Sequence, residues 1–257
     1  MKNSASLDFV PLGRCGSSEQ PAAAPAILVI SPHPDDDVIG MGGAMRLFAD
    51  EGKKVFSVYV TDGSTVSGTN GTAGSVRRSE ALAALQVVRA SGAFFLHHTS
   101  SALTGAAAGK ASRQLQGILS LLKPAELYLP SPFEGHPTHR RVTRITLDAL
   151  KMKQPRKIKV WGYSVWGGIY GLPGTKAVDI ARYLRIKRKA IRQHASQTAG
   201  KPYDRGILGR NAYEGIFLQT HGGLYLGGAE IFIDMARLQK WKGADGLQRV
   251  IAAGTNT

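Results

Sequence analysis

The sequence predicts an α/β fold, a three-layer αβα sandwich around a mostly parallel sheet. Three observations carry that prediction. The short aliphatic run Ala26–Ile30 reads as a strand buried on both faces, and the runs Lys54–Thr61, which alternates and then turns apolar, and Glu126–Pro130 are strand-like. Segments between them, such as Met41–Asp50 and Ser75–Ala90, place apolar residues at helical spacing. Polar clusters follow two of the strands, where open α/β sheets bind their ligands.

The bounds of the chain agree. With 257 residues there is material for a sizeable core, and 43% hydrophobic with 20% charged residues is ordinary for a globular protein. No apolar run approaches the length of a membrane span, and Met1–Pro25 lacks the apolar core of a secretory signal. A cytoplasmic location is the expectation. Residues 1–24 read as a flexible lead-in, 25–250 as one domain and 251–257 as a disordered tail. Cys15 is the only cysteine, so neither an intrachain disulfide nor a cysteine metal cluster can form.

Element by element, the first strand runs into Pro34 and a helix over Met41–Asp50, ended by Glu51-Gly52. Lys54–Thr61 is the second strand. Asp62–Gly74, rich in Gly, Ser and Thr, reads as a connector or a substrate lid. The helix over Ser75–Ala90 buries Ala81, Leu82, Leu85 and Val88. Ala93–Leu96 is a short third strand, followed by His97-His98. Neighbouring strand residues face opposite sides, which argues against one ion using both histidines. A helix over Lys110–Leu122 stops at Lys123-Pro124. The strand Glu126–Pro130 follows, then a helix to Lys151 with Thr138 as its expected N-cap. Lys157–Tyr163 is a fifth strand. Asp179 reads as the N-cap of a helix over Ile180–His194, and Arg210–Phe232 offers only a short helix or strand around Glu230.

The net charge of +15 is concentrated between Lys151 and Lys201, where Asp179 is the one acid. On the Ile180–His194 helix, Arg182, Arg185, Arg188, Lys189 and Arg192 share one face. Tyr183, Leu184, Lys187, Ile191 and His194 share the other. Such a face fits an anionic partner, a phosphorylated substrate or an acidic membrane surface, with nucleic acid the least favoured. It fits equally a solvated helix packed on its own sheet.

The chemistry concentrates at His33-Pro34-Asp35-Asp36-Asp37, which puts one imidazole and three carboxylates at a strand end. A divalent cation would neutralise carboxylates that otherwise repel. An Asp-rich helix N-cap fits the same residues. About a hundred residues on, Glu134-Gly135-His136-Pro137-Thr138-His139 follows another strand. Two strand-end loops can converge on one ion, and two His with one carboxylate is a known catalytic set. Nucleophilic alternatives lack support: there is no Gly-x-Ser-x-Gly elbow, and Gly40-Met41-Gly42-Gly43 is only part of a dinucleotide fingerprint.

These motifs resemble those of the PIG-L/LmbE-like zinc-dependent N-acetylglucosaminyl deacetylases. Further matches are Thr61-Asp62-Gly63, Arg77-Arg78-Ser79-Glu80, Lys187 through His194-Ala195-Ser196-Gln197, and Ala229-Glu230-Ile231-Phe232, so the likeness spans about residues 26 to 232. The resemblance implies a Rossmann-like domain with one Zn2+ held by His33, Asp36 and His139. It implies Asp35 as general base and a protonated His136 as oxyanion stabiliser and proton donor. Arg77 would lie near the substrate, with pairing to Glu80 or Asp62 as its structural alternative. Asp37 would cap the following helix or contact a sugar hydroxyl. The expected partner is an N-acetylated amino sugar. Thr138 stands where the family usually has Asp, so the charge favouring a cationic His136 would have to come from elsewhere, with Glu134 nearest. Another amide hydrolase on the same site, acting on an antibiotic aminosugar or a thiol conjugate, and a non-catalytic basic module remain alternatives. The sequence leaves substrate and oligomeric state open.

Overall fold

The computed structural model describes residues 7–13, 24–64, 72–152, 157–169, 174–217 and 227–240. Five strands form its parallel centre: β2 (Ala26–Ser31), β3 (Lys54–Thr61), β4 (Gly92–His98), β5 (Glu126–Pro130) and β6 (Lys159–Tyr163). Antiparallel strands complete both edges: β1 (Asp8–Pro11) on β4, and β8 (Ala229–Asp234) between β6 and β7 (Thr175–Asp179). The eight-stranded order is β1-β4-β3-β2-β5-β6-β8-β7.

Alternate residues of the central strands feed two apolar cores, one on each face. Ile27 and Val29 of β2 join α1 (Asp36–Asp50), α2 (Thr72–Val87) and α5 (Leu184–Ile191). Leu28 and Ile30 join α3 (Gly105–Leu122) and α4 (Pro137–Lys151). The predicted sandwich and its mostly parallel sheet are what the chain forms. A four-residue helix α6 (Ala195–Thr198), then α7 (Tyr203–Phe217) and α8 (Met235–Lys240), complete the described elements.

Several expectations need correction. The lead-in is not wholly without structure, because Asp8–Pro11 pairs with β4 and Asp8 binds both Arg78 (2.5 Å) and His97 (2.6 Å). The expected helix over Ile180–His194 is a single 3-10 turn at Ala181–Tyr183 followed by the short α5. Asp179 ends a strand, although its Oδ1 does accept the Ala181 N–H at 2.8 Å. Of the open choice around Glu230, the strand is realised. The tail 251–257, Cys15 and residues 65–71 of the lid-like connector lie outside the described residues. No helix among the described residues is long and apolar enough to cross a membrane.

The basic helix divides its faces as its periodicity predicts, with Lys187, Ala190 and Ile191 inside. Two of the five cations on its outer face are paired within the chain, because Arg188 and Arg192 both bind Asp204 Oδ2, at 2.9 and 2.8 Å. Lys187 is wholly buried, 2.6 Å from Glu230 Oε1. Glu230 also accepts the Gly43 and Ala44 N–H groups at 3.0 and 2.7 Å. Those amides are available because α1 is interrupted at Met41, whose φ of −146° starts a new helical turn. The Gly40-Met41-Gly42-Gly43 run is thus a packing device: a Cβ on Gly43 would meet Ile180 at 2.7 Å, and one on Gly40 would collide with the Tyr163 ring.

Candidate metal centre and active site

The strand order reverses between β2 and β5: β2 leads outward through β3 to β4, and the chain then returns to place β5 on the other side of β2. Ligands collect at such switch points, outside the carboxyl ends of the strands. The two loops leaving this point carry His33–Asp37 and Ser131–His139.

The first loop is wound tightly. Ser31 Oγ donates to the His33 carbonyl (2.6 Å) and accepts the Asp37 N–H (3.1 Å). Asp36 and Asp37 occupy the first turn of α1, where the helix dipole favours acids. Successive helical residues point about 100° apart, so the three carboxylates have separate fates. Asp36 turns to the second loop. Asp37 turns into the sheet, where Oδ2 accepts the hydroxyls of Ser57 (2.7 Å) and Tyr59 (2.8 Å), and Oδ1 accepts the Val38 N–H. Of its two expected roles, contact with a sugar hydroxyl does not suit a side chain with no exposed surface, and the N-cap position of α1 is taken by Asp35, with Asp37 inside the first turn. Asp35 lies against Arg77, Oδ2 to Nη2 at 3.1 Å.

In the second loop His136, not Thr138, is the N-cap of α4. Its Nδ1 accepts the Thr138 N–H at 3.2 Å, and Pro137 follows at the first helical turn. One turn on, His139 is fully buried and its Nδ1 faces Glu134 Oε2 at 3.1 Å. That contact places the proton on Nδ1 and leaves Nε2 as an acceptor. His139 Nε2 then lies 3.1 Å from Asp36 Oδ2 and 3.3 Å from His33 Nδ1, while His33 Nδ1 lies 2.9 Å from Asp36 Oδ2.

These three atoms form a nearly equilateral triangle of metal-ligating atoms. A tetrahedral ion with bonds of about 2.0–2.1 Å sets its ligand atoms about 3.3 Å apart, so the triangle has the size of one face of such a shell. Its electrostatics agree. Burial by itself would push the His139 imidazolium pKa down, but Asp36 and Glu134 raise it well above its ordinary value. Burial would likewise raise Asp36, yet His139 and His33 hold it well below the carboxylate range. The centre favours positive charge at Nε2, which a divalent cation would supply. His33, His136 and His139 also group, with ligating atoms within 4.8 Å. The set that includes Asp36 is tighter, and it leaves the exposed His136 at the mouth.

The neighbours tune this centre. Burial raises Asp35 to about 6, the Asp36 charge adding and Arg77 opposing. Burial, with the adjacent His139 and His33, pushes His136 down to about 4. That shift runs against the cationic His136 expected from the resemblance, and with Nδ1 accepting the Thr138 N–H the ring proton falls on Nε2. The Glu134 and Asp36 charges do favour a cationic His136, but burial and the two histidines outweigh them. Glu134 holds His139 and accepts the N–H groups of Val165 (2.7 Å), Trp166 (3.0 Å) and Gly167 (3.3 Å).

Arg77 pairs with neither Glu80 nor Asp62. It bridges Asp35 and the Gly63 carbonyl (3.1 Å), where Gly63 takes a φ of +76° as the guanidinium passes. Glu80 instead accepts from Ser196 (2.7 and 2.6 Å). Thr61 ties the loops together by donating to the Pro32 carbonyl (2.8 Å). His194 is buried beside this region with neither ring nitrogen partnered among the described residues. Burial and the Arg77 charge push its pKa down to about 3. His97 and His98 stay outside the centre, on Asp8 and Gln114 (2.8 Å) respectively, as their alternation predicts.

Residues 28–150 match the family model described as PIG-L, GlcNAc-PI de-N-acetylase. The chain is 25% identical over 194 residues to the diacetylchitobiose deacetylase of Thermococcus kodakarensis, covering 66% of this chain and 69% of that one. The solved N,N'-diacetylchitobiose deacetylase of Pyrococcus horikoshii, bound to an inhibitor, matches with a TM-score of 0.69 at 23% identity, over 86% of this chain and 87% of that one. GalB, the 4-carboxy-2-hydroxymuconate hydratase of Pseudomonas putida KT2440, matches with a TM-score of 0.63 at 19% identity, over 80% and 95%. At these identities the structural likenesses establish the fold. The fold houses a hydratase as well as a deacetylase, so the chemistry must be argued from the site.

Proposed function

We propose that this protein, whose residues 28–150 match the PIG-L family model, is a zinc-dependent N-deacetylase that cleaves the acetamide of an N-acetylglucosamine-type sugar to acetate and a free amine. The observation that carries the reading is the triangle of His33 Nδ1, Asp36 Oδ2 and His139 Nε2, with a second carboxyl, Asp35, beside it. Two nitrogens and one oxygen suit zinc, which takes three such ligands and an open position at catalytic sites. When bound, zinc lowers the pKa of a water to about 7 and polarises a carbonyl.

The chain's own groups do the rest. Asp35 takes the proton of the attacking water as the new C–O bond forms at the acetamide carbon. Its raised pKa suits a base that must later act as an acid. Arg77, 3.1 Å away, holds that carboxylate in place. His136 donates its Nε2–H to the developing oxyanion as a neutral imidazole, oriented by the Thr138 amide. Collapse breaks the C–N bond, Asp35 returns its proton to the leaving nitrogen, and acetate and the amine depart. Glu134 acts through His139, fixing the ring and its tautomer.

Zinc-loaded protein incubated with N-acetylglucosamine and N,N'-diacetylchitobiose should release acetate and primary amine in equal amounts. Acetate release from neither sugar would reject the substrate class, and release undiminished by a chelator would reject the metal.

A further inference from the structure

The loop after β6, residues 164–168, has an unusual division of labour. Its backbone is fastened from two sides. The Glu134 carboxylate accepts the N–H groups of Val165, Trp166 and Gly167. The Arg210 guanidinium donates to the carbonyls of Ser164 (3.1 Å) and Val165 (2.8 Å). The Ser164 hydroxyl folds back onto the Gly167 carbonyl. Gly167 packs so near the second catalytic loop that a Cβ there would meet the Phe133 carbonyl oxygen at 2.8 Å. Yet the indole this backbone carries is left 47% exposed. Among the described residues its aromatic neighbour is Tyr203 of α7, at 5.2 Å and 62°.

We propose that Trp166, backed by Tyr203, is a stacking platform for a pyranose ring of the substrate. Three features point there. The loop lies at the carboxyl edge of the sheet, after the strand parallel to and next to β5, so it leaves the same edge as the loop that carries His139. The Glu134 oxygen that accepts the Trp166 N–H is also the one that holds His139, so the indole's anchor and a metal ligand share one buried carboxylate. An exposed indole on a fixed backbone has only two side-chain torsions to order on binding, which suits a rigid contact surface. The chemistry fits a sugar: the axial C–H groups on one face of a pyranose carry partial positive charge and are attracted to the electron-rich ring face, as cations are. The remaining hydroxyls stay directed to water.

This inference rests on the deacetylase reading, and its test separates the two. Trp166→Ala and Trp166→Phe are compared with the wild type by calorimetric titration of the zinc-loaded proteins with N,N'-diacetylchitobiose, and by kinetics on that sugar and on N-acetylethanolamine, an acetamide without a ring. The Ala variant should bind the sugar about tenfold more weakly, equivalent to about 1.4 kcal/mol. Its KM for the sugar should rise in step while kcat moves less than about twofold. The Phe variant should lie between, and turnover of the ringless amide should not change. Wild-type protein that binds the sugar through Trp166 without releasing acetate would leave the platform standing and sink the deacetylase. Unchanged sugar affinity and KM in Trp166→Ala would overturn the platform. So would a fall in kcat on both substrates, which would make the loop structural. A change of oligomeric state with sugar binding intact would overturn it too, by assigning the indole to an interface between copies.

Discussion

Two clusters of buried charge lie along α1, one just past its interruption at Met41 and one at its near, N-terminal end, and they are built on opposite rules. At the interruption, Glu230 and Lys187 neutralise each other at 2.6 Å, and the carboxylate also takes the N–H groups of Gly43 and Ala44. Each charge there has a hydrogen-bonding partner of opposite character within the chain. At the near end, Asp36 and His139 Nε2 present acceptors to the same point as His33. A self-satisfied pair fixes a fold, whereas converging acceptors define a place for a cation. Burying charge is costly in both cases, and the company of the charged atoms tells structure from chemistry.

The contrast can be broken in stages. Asp35→Asn should retain zinc, because Asp35 is not in the ligand triangle, yet lose roughly two to four orders of magnitude in turnover. Single-turnover kinetics beside metal analysis would check this, and undiminished turnover would remove Asp35 as the base. At the structural end, Glu230→Ala leaves Lys187 buried without its counter-charge and should destabilise by about 3–5 kcal/mol, read from urea unfolding. Lys187→Met should cost less, since Glu230 keeps two backbone donors. Equal losses would mean that the amide contacts contribute nothing.

A smaller effect lies between the clusters. Glu134→Gln keeps the shape of the side chain but removes the charge behind His139. Zinc affinity should fall about 10–100-fold, the usual scale for a ligand's supporting carboxylate, as measured by competition with a chromophoric chelator. The smallest effect belongs to the exposed basic face. Reversing Arg182, Arg185 and Lys189 should leave KM for a neutral acetamido sugar within about twofold, because the metal centre is untouched and surface charges are screened. A steep rise would make that face part of the substrate site.

The centre was legible in the sequence to the extent that it is local. His33, Asp35, Asp36, His136 and His139 fall within two short stretches, and a strand before each stretch told where they would sit. What was not legible depends on contacts between distant segments. Glu134 holds Val165–Gly167 across some thirty residues, and no periodicity announces that. Asp37 was misread because sequence adjacency to Asp36 hides the rotation of a helix, which turns one side chain to His139 and the next to Ser57 and Tyr59. The charge on His136 depends on the summed field of its neighbours. Strand β1 escaped because a four-residue edge strand containing a proline carries almost no pattern, and α7 because three of its residues are glycine.

The most direct test of the metal centre is zinc stoichiometry in two single variants, Asp36→Ala and His136→Ala, by equilibrium dialysis and elemental analysis. The geometry predicts one zinc per chain in the wild type and in His136→Ala, and none retained in Asp36→Ala. Stoichiometric zinc in Asp36→Ala with its loss from His136→Ala would assign the ion to three histidines instead and contradict the account.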